Sequence, residues 1–152
     1  MAFGKSAAFM ATTLDTGAFW PDLALGDFQR DYRIPADYAI EAVEHNITLA
    51  FSLVIKDLSE KKKAWINAGY ASLAEVPQAT ILDKNELEQM FLHAVFSMAK
   101  AKLLHQFHSM TRKETANALN SDLDESADHW LSEARKAIKH LLAKPNVCAD
   151  LM

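Results

Sequence analysis

Apolar residues recur every three to four positions along three long stretches of this chain, and that period constrains its fold more than any other feature. From Pro35 to Ala68, the residues Ala36, Ile40, Val43, Ile47, Ala50, Val54, Leu58 and Trp65 keep a helical register. Pro35 suits the first turn of such a helix, where a missing N–H leaves no bond unmade. One helix of this length would measure about 50 Å at the usual rise per residue. That is long for a core helix and points to assembly with other chains. From Lys84 to about Arg112, Leu87, Met90, Phe91, Ala94, Val95, Met98, Ala101, Leu104 and Phe107 turn to one side. A polar stretch, "TRKETANALNSDLDES", reads as a weakened helix or a loop. A third helix follows, with Trp130, Leu131, Ala134, Ile138, Leu141 and Leu142 in register and Arg135, Lys136, Lys139 and His140 suited to its negative end. No strand pattern stands out. The expected fold is all-α: a bundle of about three long helices plus short ones, with extended N- and C-terminal arms.

The connection "WINAGYASLAEVPQATILDKNEL", Trp65 to Leu87, carries the densest punctuation. Gly69 stands where a left-handed residue ends a helix, and Tyr70 folds back on Trp65 in the Schellman pattern. "SLAE", Ser72 to Glu75, has capping-box form, and Pro77 closes the single turn it would support. Asp83 is placed to cap the next helix with Glu86 completing the box, while Leu82 and Leu87 occupy the positions of a hydrophobic staple. A connector specified this closely fixes the angle between two long helices.

Residues 1–18 lack periodicity and have the composition of a flexible arm. Phe19, Trp20 and Pro21 open the folded region, 19–145. There Asp22 is expected to cap a short helix carrying Leu23, Leu25, Phe28 and Tyr32, which Ile34–Pro35 ends. Pro145 stops the last helix, and residues 146–152 form a short tail. The arm carries Phe3, Phe9 and Met10, and the tail carries Val147, Leu151 and Met152. With Phe19, Trp20, Pro21 and Pro145, these are the candidate assembly contacts, because segments without a period can order against a neighbour.

Most familiar chemistry finds no support in the residue pattern. Di-iron bundles need a Glu-x-x-His pair on each of two helices. Glu41, Glu44 and His45 miss that spacing, and His105 with His108 lacks the remaining ligands of a zinc site. There is no glycine-rich phosphate loop and no nucleophile elbow. Lys61, Lys62 and Lys63 sit near a helix C-terminus, where cations are favoured anyway. The net charge of −4 argues against a dedicated nucleic-acid binder. The single cysteine, Cys148, cannot form an internal disulfide and fits a reducing compartment. "ITLAFSLVI" is too short to span a bilayer, and the N-terminal patch lacks a convincing cleavage site, so neither a membrane span nor export is expected. No catalytic, cofactor-binding or metal-ligating residue is expected, and no cofactor.

The order of features is more specific than any one motif. "FWPD" opens the folded region; "INAGYASLAEVPQATI", "FLHAVFSMAKAKLL", "DESADHWLSEARKAIKHLL" and "AKPNVCADLM" follow. This series resembles the head completion protein (gpL) of peduovirus-like contractile-tailed phages, which shares an aromatic-Pro-Asp opening, an "AAGF-x-x-LADVP" loop and a terminal "GKP-x-C" segment. The resemblance runs from about Phe19 to Met152. The chain departs from that pattern with Tyr70 for phenylalanine, Glu75 for aspartate, and Ala143 for the glycine before Lys144–Pro145. The resemblance implies a non-enzymatic head–tail adaptor of the virion, assembled in the host cytoplasm. Copies would bind below the portal protein after DNA packaging, form a ring in the neck, and support the next neck or tail component. DNA would pass through the channel without sequence-specific binding, and the acidic balance would keep it from adhering to the wall. Two other classes are compatible with the residues: a cytoplasmic helical regulatory module that binds a partner through its apolar tail, and a small helical metalloenzyme.

Overall fold

The computed structural model describes residues 10–111 and 118–143, with side chains over 10–107 and 127–143. Among these residues five α-helices carry the fold: α1 (Leu25–Asp31), α2 (Ile40–Asp57), α3 (Ser59–Asn67), α4 (Glu86–Thr111) and α5 (Ala118–Ala143). Two minimal antiparallel ladders join them, so the fold is mostly, not wholly, α. Strand β1 (Thr13–Leu14) pairs with β2 (Leu23–Ala24), and β3 (Thr80–Ile81) with β4 (Lys84–Asn85).

α4 and α5 form the main hairpin: Glu86 meets His140 and His93 meets Glu133, so the two helices run antiparallel. α2 packs on the other side of α4, where buried Asn46 donates to Gln106 Oε1 (3.0 Å) and to its own helix at Ala42 O (2.8 Å). Between the layers lies an aromatic core. Trp20 stacks on Phe91 at 4.6 Å between ring centroids, Phe51 meets Phe91 edge-on, and Phe19 lies parallel to Trp65 at 6.2 Å. Most residues of the helical stripes read from the sequence lie on these buried faces, with Val43, Ile47, Ala50 and Val54 on α2 fully covered. Ala36 and Leu142 are exposed instead, and α4, packed between α2 and α5, also buries Phe96, Ala99 and Leu103 outside its expected one-sided stripe.

The expected single helix from Pro35 to Ala68 is divided. Pro35 begins a turn, with Tyr38 N–H donating to Pro35 O, and α2 starts only at Ile40. Leu58 then ends α2 and begins α3 with a bent backbone (φ −100°, ψ 7°). Residues 59–63 offer no apolar side chain to the stripe, so burial does not hold the helix straight there. The bend at buried Leu58 lets Trp65 reach Phe19. The polar stretch after α4 turns out to be helical from Ala118 onward.

The start of the chain differs too. Asp22 caps no helix; its Oδ1 accepts from Thr16 N–H, and α1 begins after Ala24 without a side-chain cap. Leu25 N–H donates to Thr12 O, and buried Gln29 accepts from Met10 N–H (2.9 Å). The part of the expected arm from Met10 onward is therefore tied to the domain.

Gly69 behaves as its context demands. Its φ is +105°, its N–H donates to Ile66 O, and Tyr70 N–H donates to Trp65 O, the two bonds of a Schellman ending. A Cβ at Gly69 would meet nothing within 4 Å, so the cost of a side chain is backbone strain alone. Gly69→Val is expected to lose about 1–2 kcal/mol and Gly69→Ala somewhat less. Denaturant titration of both variants checks the order; a neutral Gly69→Val would refute the strain.

Candidate assembly surface

Between Tyr70 and Glu86 the chain builds a small rigid unit around Gln78. Its amide donates to Leu73 O (2.8 Å) and Val76 O (2.9 Å), and its Oε1 accepts from Leu87 N–H (2.7 Å) and more weakly from Glu88 N–H. One side chain thus closes the 3₁₀ turn Leu73–Glu75 and caps the start of α4. The expected cap, Asp83, does not perform that task. Leu82 (φ 51°) and Asp83 (φ 65°) are both left-handed, the signature of a type I′ turn between β3 and β4. Leu82 is 89% exposed and Ile81 58%, so no hydrophobic staple forms. Glu86 does not complete a box either; its Oε2 accepts from His140 Nε2 (2.8 Å), tying α4 to α5. At Ser72 the expected box does not form: the serine side chain caps nothing, and Glu75 reaches past it to accept from Ala71 N–H.

A second polar cluster joins α1, α4 and α5. Tyr32 Oη donates to His93 Nδ1 (2.7 Å) while His93 Nε2 donates to Glu133 Oε1 (3.1 Å), a pairing that one neutral tautomer satisfies. Lys100 donates to Tyr32 O and lies over the Trp130 ring at 4.9 Å. Burial, together with the Asp31 charge, pushes Tyr32 up to about 12, and the hydrogen bond from His93 holds Glu133 below the usual carboxylate value. A nucleophile needs the opposite shift, so Tyr32 serves as a donor that ties the end of α1 to the helical hairpin. Buried Ser97 lies 3.4 Å from His93, whose two ring nitrogens already have closer partners in Tyr32 and Glu133.

This shift has a consequence for stability. The unfolded chain releases the Tyr32 proton near the ordinary value of 10.0, whereas the folded chain keeps it to about 12. The folded state therefore loses stability as pH rises from 10 towards 12, and the contribution is complete below pH 10. Denaturant midpoints across that window should fall more steeply for the wild type than for Tyr32→Phe.

The sequence-derived contact residues fall into three groups. Phe19 and Trp20 are 5% exposed and belong to the core of the chain itself; Pro21 and Met10 are half-buried. Phe3, Phe9, Pro145, Val147, Leu151 and Met152 lie outside the described residues. Trp65, Gly69 and Tyr70 make the helix ending described above and Pro77 follows Val76, the residue that ends the 3₁₀ turn, whereas Asp83 and Glu86 take the different parts given above. Gln78 was not singled out from the sequence, because no motif marks a cap supplied from nine residues upstream. The turn was equally silent: Leu-Asp is not among the Asn-Gly or Asp-Gly pairs that announce type I′.

Among the described residues, exposed Ile81 and Leu82 stand at the hairpin tip, exposed Ile66 lines a groove, and Leu49, Leu53 and Leu142 are exposed elsewhere; two shallow grooves have partly apolar linings. One, of about 270 Å³, runs from Ile81 and Leu82 to Gln89 and Met90. The other, of about 400 Å³, lies between Trp20, Ile55, Ser59, Lys62, Lys63 and Ile66. Among the described residues no three His, Cys, Asp or Glu side chains converge as a metal site would require. Among the same residues no helix is long and apolar enough to cross a membrane.

A cross-braced helical frame that displays apolar side chains at a rigid tip has the character of a structural protein that works by contact with other proteins. Residues 14–152 match the family described as phage head completion protein (GPL), and the chain belongs to that family. It is 28% identical over 141 residues to the probable head completion/stabilization protein of Haemophilus phage HP1 (strain HP1c1), with 93% of each chain covered. No solved structure matches it. The match begins at Leu14, inside β1, a few residues before the resemblance seen in the sequence. The family is structural, not enzymatic, and places the chain in the virion, in association with other head and tail proteins of a phage.

Proposed function

We propose that the chain completes the head as an adaptor in the neck: copies bind below the portal once DNA is packaged, form a ring, and support the next neck or tail component. The observation that carries this reading is the family match across nearly the whole chain, 14–152, which makes completion of the head the task of this one domain. The cross-bracing of α4 to α5, and the Gln78 clamp at the connector, support it physically. A ring subunit must hold its helices at one angle while its neighbours and the passing DNA load them. The net charge of −4 suits a wall along which DNA slides without adhering. The chain ends carry contacts in this reading: Phe3 and Phe9 before the domain, and Val147, Leu151 and Met152 after Pro145. Assembly takes place in the host cytoplasm, and the finished site is the virion neck.

The test is loss of the protein during infection, followed by complementation. Cells lacking it are expected to accumulate DNA-filled heads without tails; normal yields of infectious particles would refute the adaptor role. Two truncations refine the test. Removing residues 1–9 or 146–152 is expected to leave a folded monomer, with at least one of the two failing to complement. Removing residues 1–17 instead deletes β1 and the Met10–Gln29 bond, and should also lower the melting temperature. If both short truncations complement fully, the ends make no assembly contacts.

A further inference from the structure

The β3–β4 turn contains a choice that the fold does not require. Both central positions are left-handed, where Asn or Gly is favoured, yet one of them holds a leucine. A leucine there strains its backbone, and at 89% exposure it recovers nothing by burial within its own chain. Ile81 beside it is also mostly exposed, and the Gln78 clamp behind the turn holds the tip rigid. A strained apolar knob on a rigid mount is what a socket on another surface would select.

One such socket lies on the same chain. The groove of about 400 Å³ has a floor of Trp20, Ile55 and Ile66, the last 47% exposed, and a rim of Lys62 and Lys63. Lys62 lies over the Phe19 ring at 5.6 Å, and Lys63 makes an exposed pair with Glu60, which water and salt weaken. Asp83, next to Leu82, is exposed and carries the opposite charge. Knob and socket share no residue, so one copy can offer its knob to one neighbour while its own socket takes the knob of another, and copies joined head to tail in this way can close into a ring.

We propose that the hairpin tip of one copy inserts Leu82 into the Trp20–Ile55–Ile66 groove of a second copy, with Asp83 facing Lys62 and Lys63. This contact rests on the ring reading above and names its interface. The cross-linking test uses purified particles carrying Leu82→Cys and Ile66→Cys together, in a Cys148→Ser background. Mild oxidation is expected to yield a ladder of covalent dimers, trimers and higher species, and either single cysteine only monomer. If the protein is present in particles yet stays monomeric, the contact falls while the adaptor role stands; particles that lack the protein overturn both. Cross-linking by either single variant would show like-to-like pairing and also overturn it. Leu82→Asn relieves the backbone strain, so it should melt no lower than the wild type while self-association weakens about tenfold or more. Unchanged self-association of that variant would sink the proposal.

Discussion

Phe91→Ala should remove about 3–5 kcal/mol of folding free energy, the range for truncating a fully buried aromatic side chain. Phe91 sits where three parts of the fold meet. It lies on α4, stacks face to face on Trp20 from the segment before β2, and takes the edge of Phe51 from α2. Its removal forfeits the buried ring area and leaves a cavity that neighbours on three separate elements cannot all close. Domains of this size hold about 5–15 kcal/mol in total, so the variant should be marginal, with a large drop in its urea midpoint. Phe91→Leu keeps most of the volume and should lose clearly less. A loss under about 1 kcal/mol for Phe91→Ala would mean that the stack with Trp20 does not organise the core.

Gln78→Ala should cost about 2 kcal/mol, more than an ordinary helix cap, because one substitution opens two structures. The N–H groups of Leu87 and Glu88 lose their acceptor at the start of α4, and the carbonyls of Leu73 and Val76 lose their donor. Gln78→Glu separates the two halves: its carboxylate still accepts at the positive end of the helix but cannot donate to the carbonyls, so its loss should be intermediate. Hydrogen exchange at Leu87 and Glu88 should speed up in Gln78→Ala and remain nearer the wild type in Gln78→Glu. Equal losses in both would assign the stability to the carbonyl side alone.

The helical faces were legible in the sequence because burial of a helix imposes a 3.6-residue period, and three stretches carry it. Gly69 was legible for a similar reason. A helix ending needs one left-handed residue, and glycine takes that conformation with least strain. The bend at Leu58 was not, since a heptad-like gap of polar residues reads the same whether the helix runs straight or turns. The misplaced cap at Asp83 has the same kind of cause. Asp followed by Glu at the right spacing satisfies the local rule, but the β3–β4 pairing and the Gln78 side chain satisfy more backbone groups at once. Phe19 and Trp20 looked like contacts for other chains because nothing in a linear pattern says where an aromatic pair before a proline will be covered. Phe91 and Trp65, far along the chain, cover them.

The sequence by itself determined the helical class, the Schellman connector and the resemblance to head completion proteins, since the first two rest on residues near one another in the chain and the third on the order of short motifs along it. The tertiary structure alone decided which aromatics are core, which glutamine caps α4, and that Leu82 stands exposed on a strained turn. Those outcomes depend on groups outside any local motif, nine residues apart at Gln78 and Leu87 and tens of residues apart at Trp20 and Phe91, and only the folded chain brings them within reach.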